Sequence, residues 1–184
     1  MPRHLWAPLF AAAITAFGPS SVVADEKPPK PGEVREFEIA AGVKMKFCWI
    51  PPGKATLGSP ASEVDRKARE AEHVYESNGY WLGKYSVTQA EWQAVVGSNR
   101  SYYSKQGQRK DRVAGVNTNS LPVDSASYDD CSTFLKLIND RGGSGKVFGK
   151  RGKFVLPNED EWEFAVLSEI ALIAIFRPKI TSHQ

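Results

Sequence analysis

The stretch Thr88-Gln89-Ala90-Glu91 fixes the start of a helix more tightly than anything else in this chain. The Thr88 hydroxyl can accept from the Glu91 N–H, while the Glu91 carboxylate reaches back to the N–H of Thr88. Val87 and Trp92 stand at the staple positions on either side, Trp92, Val95 and Val96 continue one apolar face, and Gly97 ends the helix. The same grammar recurs at Ser127, with Asp130 three residues later and Cys131, Phe134, Leu135 and Ile138 at helical spacing. Gly142-Gly143 predicts its end. Asn158-Glu159-Asp160-Glu161 caps a third helix that runs through Trp162 and Ala165.

Strands fill most of the rest. Val43 to Ile50 alternates, with Met45, Phe47 and Trp49 on one face, and Pro51-Pro52-Gly53 stops it. Ala55 to Ser59 predicts a short second strand. His73-Val74-Tyr75 and Tyr80 to Tyr85 predict two more around Ser77-Asn78-Gly79, and Phe154-Val155-Leu156 a further one. Ser62 to Glu72 is dense in charge and reads as solvated. Ser98 to Leu121 is a long polar stretch, either functional or packed by its own contacts. It contains the glycosylation sequon Asn99-Arg100-Ser101.

Composition closes off several function classes. Among 184 residues there are three histidines and two cysteines, and the net charge is +3. His4 and His183 lie near the ends, which leaves His73 alone for a core and argues against a Ser-His-Asp triad or a histidine metal cluster. Two cysteines make neither a disulfide framework nor a Cys-rich zinc module. With no stripe of Lys and Arg interleaved with aromatics, nucleic acid is not an expected partner.

The ends differ from the middle. Residues 1–24 read as an export signal, with Arg3 and His4 before the mostly apolar stretch Leu5 to Phe17 and small residues before Asp25. An exported, periplasmic or secreted product follows, with no integral span after cleavage, since the apolar stretch is shorter than a bilayer requires. Residues 25–37 read as a Pro-rich linker. Residues 166–184 form an atypical apolar tail, in which Ile170 to Phe176 is uncharged and aggregation-prone if exposed.

Four strings in order carry a resemblance. They are Ile50-Pro51-x-Gly53 with Leu57-Gly58-Ser59; Tyr80-Trp81-Leu82-Gly83-Lys84-Tyr85-x-Val87-Thr88-Gln89-x-x-Trp92; Leu121-Pro122-Val123-Asp124-x-x-Ser127-Tyr128-Asp129-Asp130; and Leu156-Pro157-x-Glu159-x-Glu161-Trp162-Glu163-Phe164-Ala165. Across residues 38–165 the chain resembles the N-terminal part of the formylglycine-generating (sulfatase-modifying factor) family. The resemblance implies an α+β fold: an incomplete, C-type-lectin-like module with long loops. Active members oxidise a sulfatase cysteine to formylglycine with molecular oxygen and Cu(I), and they also bind calcium. Their cysteine pair, Gly-Phe-Arg motif and calcium loops follow the segment matched by Glu161 to Ala165. No catalytic, cofactor or metal residue is therefore carried over, and neither copper nor calcium is assigned to this chain. A sulfatase or other protein substrate is implied for the intact form only.

Several residues keep more than one reading. Cys48 and Cys131 are two small buried residues, a disulfide, or a stand-in catalytic pair. Gly142 to Lys146 lacks phosphate-loop spacing and reads as a helix exit. Lys146, Lys150, Arg151 and Lys153 read as a solvated hairpin or an anion patch, and the acids Glu159, Asp160, Glu161 and Glu163 as helix-start residues. Trp81, Trp92 and Trp162 are expected core anchors. Two functions compete: the first part of an exported oxidase, inactive alone, and a non-catalytic binding module that uses Ser98 to Leu121. A membrane contact through the tail is weaker, for want of a charged amphipathic face. The expected half-module leaves strands unpaired and folds poorly.

Overall fold

The computed structural model describes residues 27–141, 146–147, 150–168 and 179–182. The leader, the Gly142-Gly143 helix stop and the apolar run 170–176 lie outside the described residues. Eight strands and three α-helices are present among them: β1 (Val34–Ala40), β2 (Val43–Ile50), β3 (Gly53–Leu57), β4 (His73–Ser77), β5 (Tyr80–Gly83), α1 (Gln89–Val96), α2 (Tyr128–Arg141), β6 (Lys146–Val147), β7 (Lys150–Val155), α3 (Glu159–Leu167) and β8 (Lys179–Ser182). Six strands form one sheet in the order β1-β2-β5-β8-β7-β6, and β3 and β4 form a separate hairpin. All the ladders are antiparallel. The fold class is α+β, as expected.

β2 behaves as its alternation predicts. Met45 and Phe47 point to one face, together with Trp81, Val87, Trp92, Val95, Phe134, Leu135, Ile138 and Phe154. Trp49 packs on Trp81 on that face with ring centres 5.4 Å apart. Cys48 and Ile50 point to the opposite face, where they meet Leu57, Tyr80, Leu82, Phe164 and Ala165. The first face is roofed by α1 and α2, the second by α3 and the β3–β4 hairpin. Phe47, Ile50 and Leu82 are wholly buried.

The helix ends follow the sequence. Thr88 Oγ accepts from the Glu91 N–H at 3.2 Å, Glu91 accepts from the Thr88 N–H at 2.7 Å, and Gly97 closes the helix with φ of 86°. Ser127 and Asp130 make the same exchange at α2, with bonds of 3.2 and 2.9 Å. Arg141, at the end of α2, donates to the last-turn carbonyls of Ala94 at 3.1 Å and Val95 at 2.7 Å. That contact places a cation at the negative end of α1 and ties the two helices together. Trp92 stacks on Phe134 with 5.0 Å between centres. Asn139 holds β7 as a strand neighbour would, donating to the Phe154 carbonyl and accepting from its N–H.

Three expectations are corrected. β1 begins at Val34, inside the segment read as linker, because Phe37 and Ile39 alternate inward against the helices. The prolines that set the linker's character end at Pro31. Trp162 is no core anchor. It is 38% exposed, because the inward face of α3 carries Phe164 and Ala165. The tail supplies β8, which pairs with β5 through Trp81↔Ile180 and with β7 through Phe154↔Ile180. β5 and β7 are therefore joined where the half-module left them as open edges.

A proline in the middle of β8 removes a ladder donor in the sheet interior. Ile180→Pro is expected to lower stability by roughly 1–3 kcal/mol in urea unfolding, and a variant as stable as the parent would show that β8 does not close the sheet.

Candidate functional site

The polar stretch between α1 and α2 is held by Gln89, buried at one root, and by the half-buried Asp124 at the other. Gln89, in the first turn of α1, is 1% exposed. Its amide nitrogen donates to the Tyr103 carbonyl at 3.0 Å and to that of Pro122 at 3.4 Å, while its oxygen accepts from Asn99 Nδ2 at 2.9 Å. Asn99 Oδ1 in turn accepts from the Ser101 N–H at 3.0 Å. At the other root, Asp124 Oδ1 accepts from the Tyr102 N–H at 2.6 Å and Oδ2 from that of Tyr103 at 3.2 Å. The Asp124 N–H donates to Ser101 Oγ at 3.3 Å. Ser101, Ser104 and Thr118 are buried as well. The loop is thus packed by its own contacts, with polar groups doing what apolar side chains do elsewhere.

Gly107 is where backbone crosses backbone. A Cβ there would stand 2.3 Å from the Tyr102 oxygen and 2.4 Å from that of Ser101, so no side chain fits. The Gly107 N–H reaches the Ser104 carbonyl, and the Arg109 N–H that of Tyr102. The Arg109 guanidinium donates to the Tyr102 hydroxyl at 2.9 Å and leans on its ring. At the sequon, the Asn99 amide is engaged with Gln89 and Ser101 is fully buried, an arrangement that leaves a glycan no room without opening the network. A cleft of about 150 Å³ beside α1 is lined by Trp92, Val96, Arg100, Val123, Asp124 and Asp130.

The two cysteines are separated by the sheet. Cys48 lies in the core under α3, Cys131 on α2 at the opposite face, and neither forms a disulfide. The disulfide and the stand-in catalytic pair are both excluded by this placement. Burial, and then the neighbouring Asp130, push the Cys131 thiol up and hold it protonated. Cu(I) favours two converging thiolates, so the thiols present here do not fit that ion.

Three of the four acids of α3 have structural partners. Glu161 completes the Asn158 cap, and Glu163 accepts from the Gly58 N–H at 2.9 Å. Tyr80 donates its hydroxyl to the Glu161 carbonyl, and burial pushes that phenol well up. Asp160 lies 3.1 Å from His73 Nε2, while His73 Nδ1 lies 3.1 Å from the Ala71 carbonyl. His73 thus pins the β3–β4 hairpin to α3. Among the described residues, no group of three or more His, Cys, Asp or Glu side chains converges. Lys146, Lys150 and Arg151 fall on the β6–β7 hairpin, as expected from the sequence, and Lys153 on β7.

The comparisons with known proteins agree with this architecture. The model of the sulfatase-modifying factor enzyme 1-like domain matches residues 25–168, and the chain belongs to that family. Among solved structures it is similar to Treponema denticola variable protein 1, at 19% identity and a TM-score of 0.56, with 72% of this chain and 55% of that one covered. PvdO from Pseudomonas aeruginosa also matches, at 18% identity and a TM-score of 0.46, over 70% of this chain and 49% of that one. The chain therefore spans about half the length of these two structures. No curated protein sequence matches it.

Gln89 and Asp124 stand within the family-like strings of the sequence, which give them no task. The available signal was their position, since each polar residue sits where the loop leaves or rejoins a capped helix. Gln89→Ala removes the hub and strands the Asn99 amide, so a loss of about 1–3 kcal/mol is expected. Proteolysis should then begin within residues 98–121, whereas unchanged protection would show that the network does not hold the loop.

His73 gives a pH dependence of definite sign. Only the imidazolium donates from both nitrogens. The Ala71 carbonyl, opposed by desolvation and aided by Asp160 and Glu163, raises its pKa above the ordinary 6.5. The added stability is full below that ordinary value and is lost as pH rises through the raised one. The melting-temperature difference between the parent and His73→Ala should therefore shrink as pH rises from about 6.5, the ordinary histidine value, through the raised one. A difference that grows with pH would reverse this assignment.

Proposed function

We propose that this chain is an exported, non-catalytic member of its family that works by binding, with the loop between α1 and α2 displayed from a C-type-lectin-like scaffold. The observation that carries this reading is the placement of Cys48 and Cys131 on opposite sides of the sheet, where no pair of thiolates can meet. The preorganised loop supports it, since a rigid surface loses little entropy on meeting a partner. Export is supported by residues 1–24, and the family match begins at residue 25, where signal cleavage is expected.

The half-length match favours a second reading. In it the chain is the first part of an oxidase whose copper-binding cysteines and calcium loops are encoded downstream, and whose substrate is a sulfatase. A single assay addresses the main reading. The full chain, supplied with Cu(I) and oxygen, is expected to leave the cysteine of a sulfatase-derived peptide unchanged by mass spectrometry. Conversion to formylglycine would overturn a binding-only role. Sequencing the gene beyond codon 165 in all three frames decides the second reading, because a Gly-rich segment, a cysteine pair and a Gly-Phe-Arg motif there would establish it.

A further inference from the structure

We infer that the loop between α1 and α2 is a docking surface for an acidic peptide segment of a partner protein, an inference that rests on the binding reading above. The loop is one of two strongly basic stretches in the chain, the other running from Arg141 to Lys153. Between Ser98 and Leu121 stand Arg100, Lys105, Arg109, Lys110 and Arg112 against a single acid, Asp111. From residue 27 to residue 97 acids and bases nearly balance, and residues 122–140 are acidic. All five cations are exposed, while Ser101, Ser104 and Thr118 beneath them are buried.

The arrangement is fixed before any partner arrives. Gln89, Asn99 and Asp124 hold the roots, and the crossing at Gly107 holds the middle. From Lys110 to Val113 the chain makes a 3-10 turn. Beside it lies an open basin of about 570 Å³, lined by Lys105, Lys110, Val113, Ala114, Val116 and Asn117. Its cations are available: Asp111 lies 3.9 Å from Arg112, and neither Lys105 nor Lys110 has an ion-pair partner among the described residues.

Two free ammonium groups at the margin of an aliphatic floor select the occupant. Carboxylates meet Lys105 and Lys110, while an aliphatic side chain between them covers Val113, Ala114 and Val116. The Asn117 side-chain oxygen accepts from the Asn119 N–H, which leaves its NH2 to donate to a peptide carbonyl. A sugar ring favours an aromatic platform, and this basin has none. Phosphate-like or sulfate groups would satisfy the lysines but leave the apolar floor uncovered. A peptide alternating acidic and aliphatic residues satisfies both.

Fluorescence anisotropy of the full chain with a labelled peptide of alternating Glu and Leu tests this directly. The parent is expected to bind, and to lose about tenfold in affinity as salt rises from about 50 to about 300 mM. The double variant K105E/K110E should lose at least about tenfold at low salt, with K105Q/K110Q in between. The charge-matched control K27E/K84E should stay within about twofold of the parent. Circular dichroism confirms that each variant is folded, and K105Q/K110Q decides the question should the reversal prevent folding. Three results would overturn the assignment: no binding by the parent, equal weakening in K105E/K110E and K27E/K84E, or binding of a sulfated oligosaccharide in preference to the peptide. None of these bears on the formylglycine assay, so the partner and the non-catalytic reading fail separately.

Discussion

β2 is the wall on which both halves of the interior lean. Consecutive residues Phe47 and Cys48 face opposite ways, so one strand supplies the floor for α1 and α2 and the ceiling for α3 and the β3–β4 hairpin. A slip of one residue in its pairing with β1 or β5 would exchange the two faces. Cys48 and Ile50 would then meet helices shaped for Met45 and Phe47. The register is held by contacts on both sides, including Phe37 opposite Met45 and Trp81 opposite Trp49. Both cores share this one backbone, so damage to either reaches the other.

Local chemistry made much of this legible. Thr88, Ser127 and Asn158 announce helix starts because a cap is a four-residue event, complete within its own sequence. Alternation at Met45, Phe47 and Trp49 is equally local. What escaped was settled at long range. Nothing near Ile180 says that it will lie between Trp81 and Phe154, and nothing near Trp162 says which side of α3 will face the sheet. β1 was obscured for a different reason, since the prolines ending at Pro31 lent their character to a strand that begins at Val34.

The loop between α1 and α2 shows the same division. Its polarity reads as exposure, yet Gln89 and Ser101 are among the best buried residues in the protein. A buried amide or hydroxyl costs little once its donors and acceptors are all engaged, and it holds direction in a way that an aliphatic side chain cannot. The interior therefore has two kinds of order: an apolar one that sets the sheet and helices, and a polar one that sets the shape of the loop. Only the first leaves a periodic trace in the sequence.

The position of β8 also governs when the molecule can assemble. Its Ile180 and the Trp81 it pairs with are about a hundred residues apart in the chain, so the strand that joins the middle of the sheet is the latest of the eight to be synthesised. Hairpins such as β1–β2 and β3–β4 can form from local contacts, but the sheet waits for a long loop to close. During that interval β5 and β7 each present an unpaired edge, which the matching strand of a second copy could occupy as readily as the protein's own. The waiting time and the local concentration of neighbours would together decide between monomers and strand-exchanged pairs.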